Sequence, residues 1–478
     1  MGYGAGAAVA DLVDNSIAAG CSRVDIRFQA DGARSFVVIE DDGRGMSDSE
    51  LSQAMRIGSK NPLEDRQSED LGRFGMGLKT ASLSQCQKFT VLSKPAGGAV
   101  SLRCWDLEHV QRSNAWQLLC EAPDLPEGVE EALAARDHGT VVIWQNCDVW
   151  GAREGVDLGR FNTAFYRMVE AVDHHLRLFF HRYLESSRCK ISINGNRLKP
   201  WDPFMRWHPA TTPTYREQID VDCYLQGFVL PHKDRLKAAE YSQGGGRDGW
   251  TAHQGFYIYR NDRLLVAGSW LGLGDDRRWT KDESYRLARL SLDISNSSDA
   301  EWSIDIKKSN ARPPERLRNK LTARAQVTRK DARRVFAHRG SYGPRAQTPL
   351  RSPIWGSTLR GDHHIYRINR HHPLVERALS SISDPSILES LLRMVEETVP
   401  VQKIWLDVAE AGELSPQPFQ QADPHEVQTI LQALYDSYTQ HQGYSPQEAC
   451  ARLLETDPFQ YYPELVQKLN PGGNSNGS

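Results

Sequence analysis

Ala7-Ala8-Val9-Ala10-Asp11-Leu12-Val13-Asp14-Asn15-Ser16-Ile17-Ala18-Ala19-Gly20 is the stretch on which the reading of this chain turns. Wound as a helix, it aligns Ala8, Val9, Leu12, Val13 and Ile17 in an apolar stripe, and Gly20 stands where such a helix would end. Its polar residues are harder to place. Asp11 and Asn15 lie four apart on one face, with Asp14 beside them, on a helix otherwise made of small apolar residues. Two readings stay open: an ordinary solvated face, or a carboxylate and an amide whose partners are a hydrated Mg²⁺ and phosphates.

Two glycine motifs downstream bear on that choice. Ser35 to Glu40 reads as a strand running into Asp41-Asp42-Gly43-Arg44-Gly45-Met46, where a carboxylate meets a backbone free to turn tightly. Gly72-Arg73-Phe74-Gly75-Met76-Gly77-Leu78-Lys79-Thr80 then opens into a predicted helix, an arrangement that presents bare amides to phosphate. It nearly spells a P-loop, but Leu78 displaces the lysine by one position and no strand ends before Gly72. The GxxGxG order also differs from the dinucleotide fingerprint.

In this order and spacing the helix and the two motifs resemble the GHKL ATPase superfamily, which includes DNA gyrase's ATPase subunit, the ninety-kilodalton heat-shock chaperones, histidine kinases and MutL. The helix is similar to its N box, Asp41-x-Gly43-x-Gly45 to the second motif and Gly72-x-x-Gly75-x-Gly77 to the third. Gly139-Thr140, followed by the strand-like Val141 to Trp144, resembles the fourth. The resemblance implies an ATP- and Mg²⁺-binding α/β sandwich, the Bergerat fold. Asn15 would hold the metal and Asp41 would accept from the adenine amino group. Gly43, Gly45, Met46, Gly72, Phe74, Gly75, Met76, Gly77, Leu78, Lys79 and Thr140 would line the nucleotide. Asp11 stands where most of the family has the glutamate that orients the attacking water.

Length and composition fit a multidomain protein. The chain has 478 residues, 39% hydrophobic and 25% charged, with a net charge of −3 that says nothing about local basic surfaces. No signal peptide or spanning helix is evident, and eight cysteines without a CxxC pair argue against a zinc site or a disulfide scaffold. A cytoplasmic protein with reduced packing cysteines and no membrane contact is expected. The N box begins within ten residues of Met1, where the family usually carries a preceding segment; either that segment is absent or the chain starts late.

Val24, Ile26 and Phe28 alternate with polar residues as a half-buried strand, forming a hairpin with the strand before Asp41. Asp42 reads as a solvated turn residue. Residues 47–71 have the composition of a lid. Strands at 89–92, 100–103 and 140–145 would finish a mixed sheet with helices on one face. The expected organisation is α+β: an ATP-binding domain over 1–150, a transducer-like α/β domain over 155–340, a linker over 341–363, a helical interaction region over 364–470 and a disordered tail over 471–478.

Phe161 to Leu184 has a long helical pattern whose His174, His175 and His181 read as a solvated face, since no carboxylate or cysteine stands at ligand spacing. Gly255 to Leu265 reads as a hairpin with Asn261-Asp262 at its tip, and resembles the "YRNxRLI" strand of the transducer in Microrchidia and MutL-type proteins. The transducer of these families returns a lysine to the γ-phosphate, which implies Lys307 or Lys308 here. Arg312 to Arg339 is basic, as a DNA-binding helix would be. The functional expectation is an ATP-gated, homodimeric clamp acting on DNA in a bacterial defence or repair setting, with a protein partner on the helical C-terminal region. A heat-shock-type chaperone acting on protein clients and a nucleotide-sensing scaffold are the alternatives.

Overall fold

The computed structural model describes residues 4–56, 77–147, 158–274, 277–295, 301–302, 311–337, 354–360, 363–401, 419, 422–456, 459 and 462–469. The chain divides into two compact units, Met1–Tyr342 and Gly343–Ser478.

The first unit is built on two sheets. Helix α1 (Ala5–Ala18) is followed by the antiparallel hairpin of β1 (Arg23–Gln29) and β2 (Phe36–Asp41), in the register Val24 to Asp41 and Ile26 to Ile39. Helix α2 (Asp48–Met55) opens on a capping box between Ser47 and Glu50, the S-x-x-E pattern of its sequence. Helix α3 (Gly77–Leu83), strands β3 (Lys88–Lys94) and β4 (Ser101–Asp106), helices α4 (Leu107–Ser113) and α5 (Val129–Ala134), and strand β5 (Gly139–Gln145) come next.

Period-two alternation decides what each sheet face meets. Val37 and Ile39 of β2 turn into the main core with Ala8, Val9, Leu12 and Val13 of α1. Val38 turns the other way, onto Leu92, Val141, Ile143 and α5's Val129 and Leu133. A short helix therefore covers part of the face that was expected to carry none.

Helix α6 (Leu158–Phe179) packs against α1, and after α7 (His181–Glu185) the chain adds β6 (Lys190–Ile193) parallel to β1, then β7 (Asn196–Arg197). The first sheet thus runs β4-β3-β5-β2-β1-β6-β7. Residues 158–197 lie with this sheet, although the sequence pattern suggested a new domain near 155.

The second sheet is formed by β8 (Thr212–Pro213), β9 (Glu217–Asp220), β10 (Cys223–Val229), β11 (Gly255–Arg260), β12 (Arg263–Ser269) and β13 (Ala288–Ile294). Its order is β12-β11-β13-β10-β8, with β9 paired to β10. Helices α8 (Ala238–Gly245) and α9 (Gly249–Ala252) precede β11, and α10 (Glu315–Ala337) packs on β10 and β13. At the β11–β12 turn Asn261 and Asp262 take φ of 47° and 62°, the left-handed pair that a two-residue hairpin needs.

In the second unit β14 (Trp355–Arg360), within the span expected as linker, pairs with β15 (His363–Ile368). Helices α11 (Pro373–Ser381), α12 (Pro385–Glu397), α13 (Pro424–Asp436), α14 (Pro446–Leu454) and α15 (Pro463–Gln467) each begin on a proline, whose missing N–H would be unpaired there anyway. Val427, Leu431, Leu434, Leu453 and Phe459 share the core of this unit. Among the described residues no helix is long and apolar enough to cross a membrane.

The histidines of α6 and α7 are not solvated, because α6 is held between α1 on one side and β12 on the other. The His175 ring stacks on Phe179 with centroids 4.0 Å apart, and burial together with the Arg263 charge pushes it down to about 3. His174 packs on Trp201, and burial lowers it as well. His181 bonds Tyr259 Oη through Nε2 at 2.8 Å and Glu185 through Nδ1 at 3.2 Å.

Across this seam runs an ion pair. Arg263 Nε of β12 donates to Asp14 Oδ1 of α1 at 2.6 Å, and both side chains are 3% exposed. Arg263 also donates to Leu264 O at 2.5 Å and lies 4.2 Å over the Phe180 ring. Removing one member of such a pair strands a charge in a dry site. Arg263→Ala should lower unfolding free energy by about 3–5 kcal/mol in a urea titration, whereas the double change Asp14→Leu with Arg263→Met should recover most of it. Equal stability of Arg263→Ala and the parent chain would show that the pair does not hold this seam.

Candidate functional site

Helix α1 sends its polar side chains in three directions. Asp14 goes to Arg263, as above. Ser16 is buried and donates from Oγ to Asp41 Oδ2 at 2.7 Å, with a longer contact to Leu12 O at 3.2 Å. Asp11 is half-buried and Asn15 exposed, on the face that the four-residue spacing predicts. Ser16 was not among the predicted site residues. Its position beside Asn15 was the available signal, but only the fold shows that it meets Asp41.

Asp41 ends β2 opposite Thr140 of β5. Its Oδ1 accepts the Gly43 amide at 2.9 Å, so both carboxylate oxygens are held and the group is 7% exposed. Burial pushes the carboxyl up from its ordinary range and the charge of Asp42 adds to this, against the bonds from Ser16, Gly43 and Thr140.

The chain then folds over this acid. Gly45 has φ +69°, and a Cβ there would fall 1.9 Å from Lys94 O, so only glycine allows so close an approach to the end of β3. The Met46 amide donates to Ser93 Oγ at 2.8 Å, and Ser93 Oγ in turn lies 2.9 Å from Thr140 Oγ1. His138 Nδ1 bonds Gly43 O at 2.7 Å. Asp41, Gly43, Gly45, Met46 and Thr140 are thus brought together, along with Ser93 and His138, which no local pattern marked.

Asp42 is not a solvated turn residue. Its carboxylate accepts from Ser22 N at 2.8 Å, Ser22 Oγ at 2.6 Å and Arg23 N at 2.8 Å, pinning the start of β1. Its burial opposes the charge, but these bonds outweigh that and lower its pKa.

Helix α3 starts at Gly77, and Leu78 packs against the main core. Lys79 is buried, with Nζ donating to Ala54 O at 2.9 Å and Arg56 O at 2.6 Å at the end of α2. Gly72, Phe74, Gly75, Met76, Lys307 and Lys308 lie outside the described residues.

Much of the basic charge on α10 is already paired. Arg316 bonds Asp220 and lies 2.5 Å from Glu301, Arg324 lies 2.7 Å from Glu217, and Lys320 donates to Ile219 O at 3.1 Å. Arg329 is buried among Trp270, Trp279 and Tyr285, with its guanidinium carbon 4.6, 4.3 and 3.8 Å from the ring centroids. Lys330 and Arg333 are exposed.

A helix with an outward Asp11 and Asn15, laid over a buried, doubly held carboxylate at the end of a strand that runs into spaced glycines, defines the class. Residues 3–140 match the family model described as histidine kinase-, DNA gyrase B-, and HSP90-like ATPase, and this part of the chain is a GHKL-type ATPase domain. The chain is similar to DNA mismatch repair protein MutL of Shewanella woodyi, 26% identical over 239 residues, covering 46% of this chain and 34% of that protein. The MutL proteins of Tolumonas auensis (28% over 279 residues, 54% and 40%) and Rhodospirillum rubrum (37% over 91 residues, 19% and 14%) are further relatives. The chain therefore carries a GHKL-type domain and is similar to MutL proteins, and it spans at most two fifths of the length of these relatives.

The site fits a nucleotide. Asp41 offers a fixed acceptor for an amino group, and the backbone passes Gly45 without a side chain in the way. Asp41→Asn should weaken ATP binding measured by calorimetry by roughly ten- to a hundredfold, since a buried charge-assisted bond contributes about 1.5–3 kcal/mol. The fold should survive, because Ser16 can accept from the new amide and donate to Leu12 O. A carboxyl raised in the folded state favours folding most at low pH and loses that contribution as pH climbs through its folded pKa. Above that pKa the ionised Asp41 no longer contributes in this way, and Asp41→Asn should melt no lower than the parent chain. Unchanged ATP affinity in that variant would dismiss Asp41 as the base-reading group.

Proposed function

We propose that this chain is an ATP-driven conformational clamp that hydrolyses ATP slowly, dimerises when ATP is bound and acts on DNA in a bacterial repair or defence setting. The observation that carries the reading is the division of labour on α1. Asp11 and Asn15 face outward while Asp14 fastens the same helix to the second sheet, so a change at the nucleotide has a rigid route to β12. The printed names of the relatives, DNA mismatch repair proteins, support DNA as the substrate.

In this reading Asn15 holds Mg²⁺, which would neutralise charge on the phosphate oxygens. Asp41 and its hydrogen-bonded loop seat the adenine. Gly43, Gly45, Met46 and Thr140 surround it, and the Gly72 to Lys79 stretch serves the phosphates. Asp11 orients the attacking water, and Lys307 or Lys308 offsets charge on the γ-phosphate. An aspartate falls short of the family's glutamate by roughly 1.5 Å, one methylene. Misplacement on that scale supports slow turnover. Exposed Ile387, Leu391 and Met394 on one side of α12 support a protein-binding role for the second unit.

Asp11→Asn should keep ATP affinity and ATP-dependent dimer mass in light scattering, and should slow single-turnover hydrolysis by on the order of 10²-fold or more. Hydrolysis at the parent rate would remove Asp11 from the chemistry. An unchanged mass with ATP in the parent chain would remove the clamp.

DNA binding should be sequence-tolerant and weaken steeply with salt. Because Arg329 is buried, the informative change is Lys330→Glu with Arg333→Glu, which should reduce the log–log salt slope by about two. Undetectable DNA binding by the parent chain, with ATPase stimulated by unfolded protein instead, would favour a chaperone.

A further inference from the structure

Beyond the nucleotide site, a second cluster of ligating side chains sits beside the second sheet. His174 projects from α6, while Asp248 and His253 bracket the single turn of α9. One ligand atom from each of the three lies within 4.8 Å of the others. His253 is 5% exposed, and its Nε2 is buried without a hydrogen-bond partner; His174 Nε2 is buried and unpartnered in the same way. Two orphaned imidazole nitrogens in one cluster need an explanation, since a buried polar atom left unbonded costs about 1–3 kcal/mol.

We propose that His174, Asp248 and His253 form a binding site for a divalent transition metal of the Zn²⁺ class, with the two Nε2 atoms and one carboxylate oxygen as ligands and an open fourth position toward solvent.

The surroundings set the tautomer of His253. The Tyr257 hydroxyl spends its hydrogen on His253 O at 2.8 Å, so its oxygen faces His253 Nδ1 at 3.4 Å as an acceptor. With the proton on Nδ1, the lone pair of Nε2 points into the unpartnered space. A metal-bound histidine is oriented in this way by a partner on its other nitrogen. The Trp201 ring, 4.7 Å from His253 and 5.5 Å from His174 by centroids, walls the cluster on its apolar side. At Gly246, φ +62°, a Cβ would sit 3.0 Å from His253 Nε2, and glycine leaves that approach open.

Tetrahedral ligand atoms around Zn²⁺ stand roughly 3.3 Å apart, so the cluster has to contract. Asp248 can supply most of that movement. It is exposed, and its carboxylate makes no capping bond to α9. The cations whose charge reaches His253 are engaged elsewhere: Arg289 with Pro203 O and Gly244 O, Lys281 with Ala252 O. The donor set is imidazole and carboxylate without thiolate, which suits Zn²⁺ and excludes sulfur-seeking Cu(I). A bound ion would tie α6 to the segment entering β11, stiffening the second sheet without touching the nucleotide.

The test uses the full chain, stripped with chelator and dialysed against Zn²⁺ without nucleotide. Roughly one equivalent should be retained per chain and the thermal midpoint should rise, while Co²⁺ should give weak tetrahedral visible bands with no thiolate charge-transfer band. Asp248→Asn, at an exposed position that leaves the core intact, should weaken Zn²⁺ binding by at least about tenfold, and His174→Gln should do the same. Circular dichroism of both variants in the absence of metal should match the parent chain. Failure of the parent to retain Zn²⁺, a thiolate band with Co²⁺, or parent-like retention by both variants would overturn the site.

Discussion

The buried pair between Asp14 and Arg263 fixes the rotation of the helix on which the candidate site depends. Successive residues on a helix are about 100° apart, so Asp11, Asn15 and Asp14 share one broad side, and Ser16 faces away from them. Once Asp14 is locked to β12, Asp11 and Asn15 have one available direction, and Ser16 is delivered to Asp41. A turn of one residue would break the ion pair, the Ser16 bond and the apolar contact of Leu12 and Val13 together. The helix holds by several weak agreements rather than by one strong contact, and its dry ion pair makes the wrong rotations costly.

The same pair gives the hairpin resembling "YRNxRLI" a physical reason. Asn261 and Asp262 supply the left-handed turn, and Tyr183 Oη donates to Asn261 O at 2.7 Å. Asp262 meets Arg182 at 3.2 Å and Arg188 at 2.6 Å. Arg263 is the next residue, and its place under α1 is set by this clamped tip. Two sheets that are distant in sequence are thereby joined through one turn.

What could be read from the sequence was local. A carboxylate followed by spaced glycines, an alternating strand and an Asn-Asp turn are short-range necessities of their geometry, and Asp41, Gly45 and the hairpin tip stand where those patterns put them. What could not be read depended on partners far along the chain. Asp42 looked solvated because Ser22 and Arg23 precede it by a whole hairpin. The basic run of α10 looked unopposed because Asp220, Glu217 and Glu301 lie on other elements. His174 looked like a surface residue lacking a carboxylate because Asp248 comes much later. Parallel pairing of β6 with β1 has no signature at all in periodicity, since Lys190–Ile193 alternates like any half-buried strand.

Lys79 shows how a motif residue can work through a scaffold. Helix α2 ends at Met55, where its last carbonyls have no partner within the helix. Trp105 Nε1 takes Met55 O at 3.0 Å, and Lys79 Nζ takes Ala54 O and Arg56 O. A cation at a helix C-terminus is favoured by both hydrogen bonding and the helix dipole, and burial leaves little water to compete. Lys79 belongs to α3, so this one side chain fastens α3 to the end of α2. The ammonium group of a lysine beside the glycine motif is thus engaged at the end of a neighbouring helix.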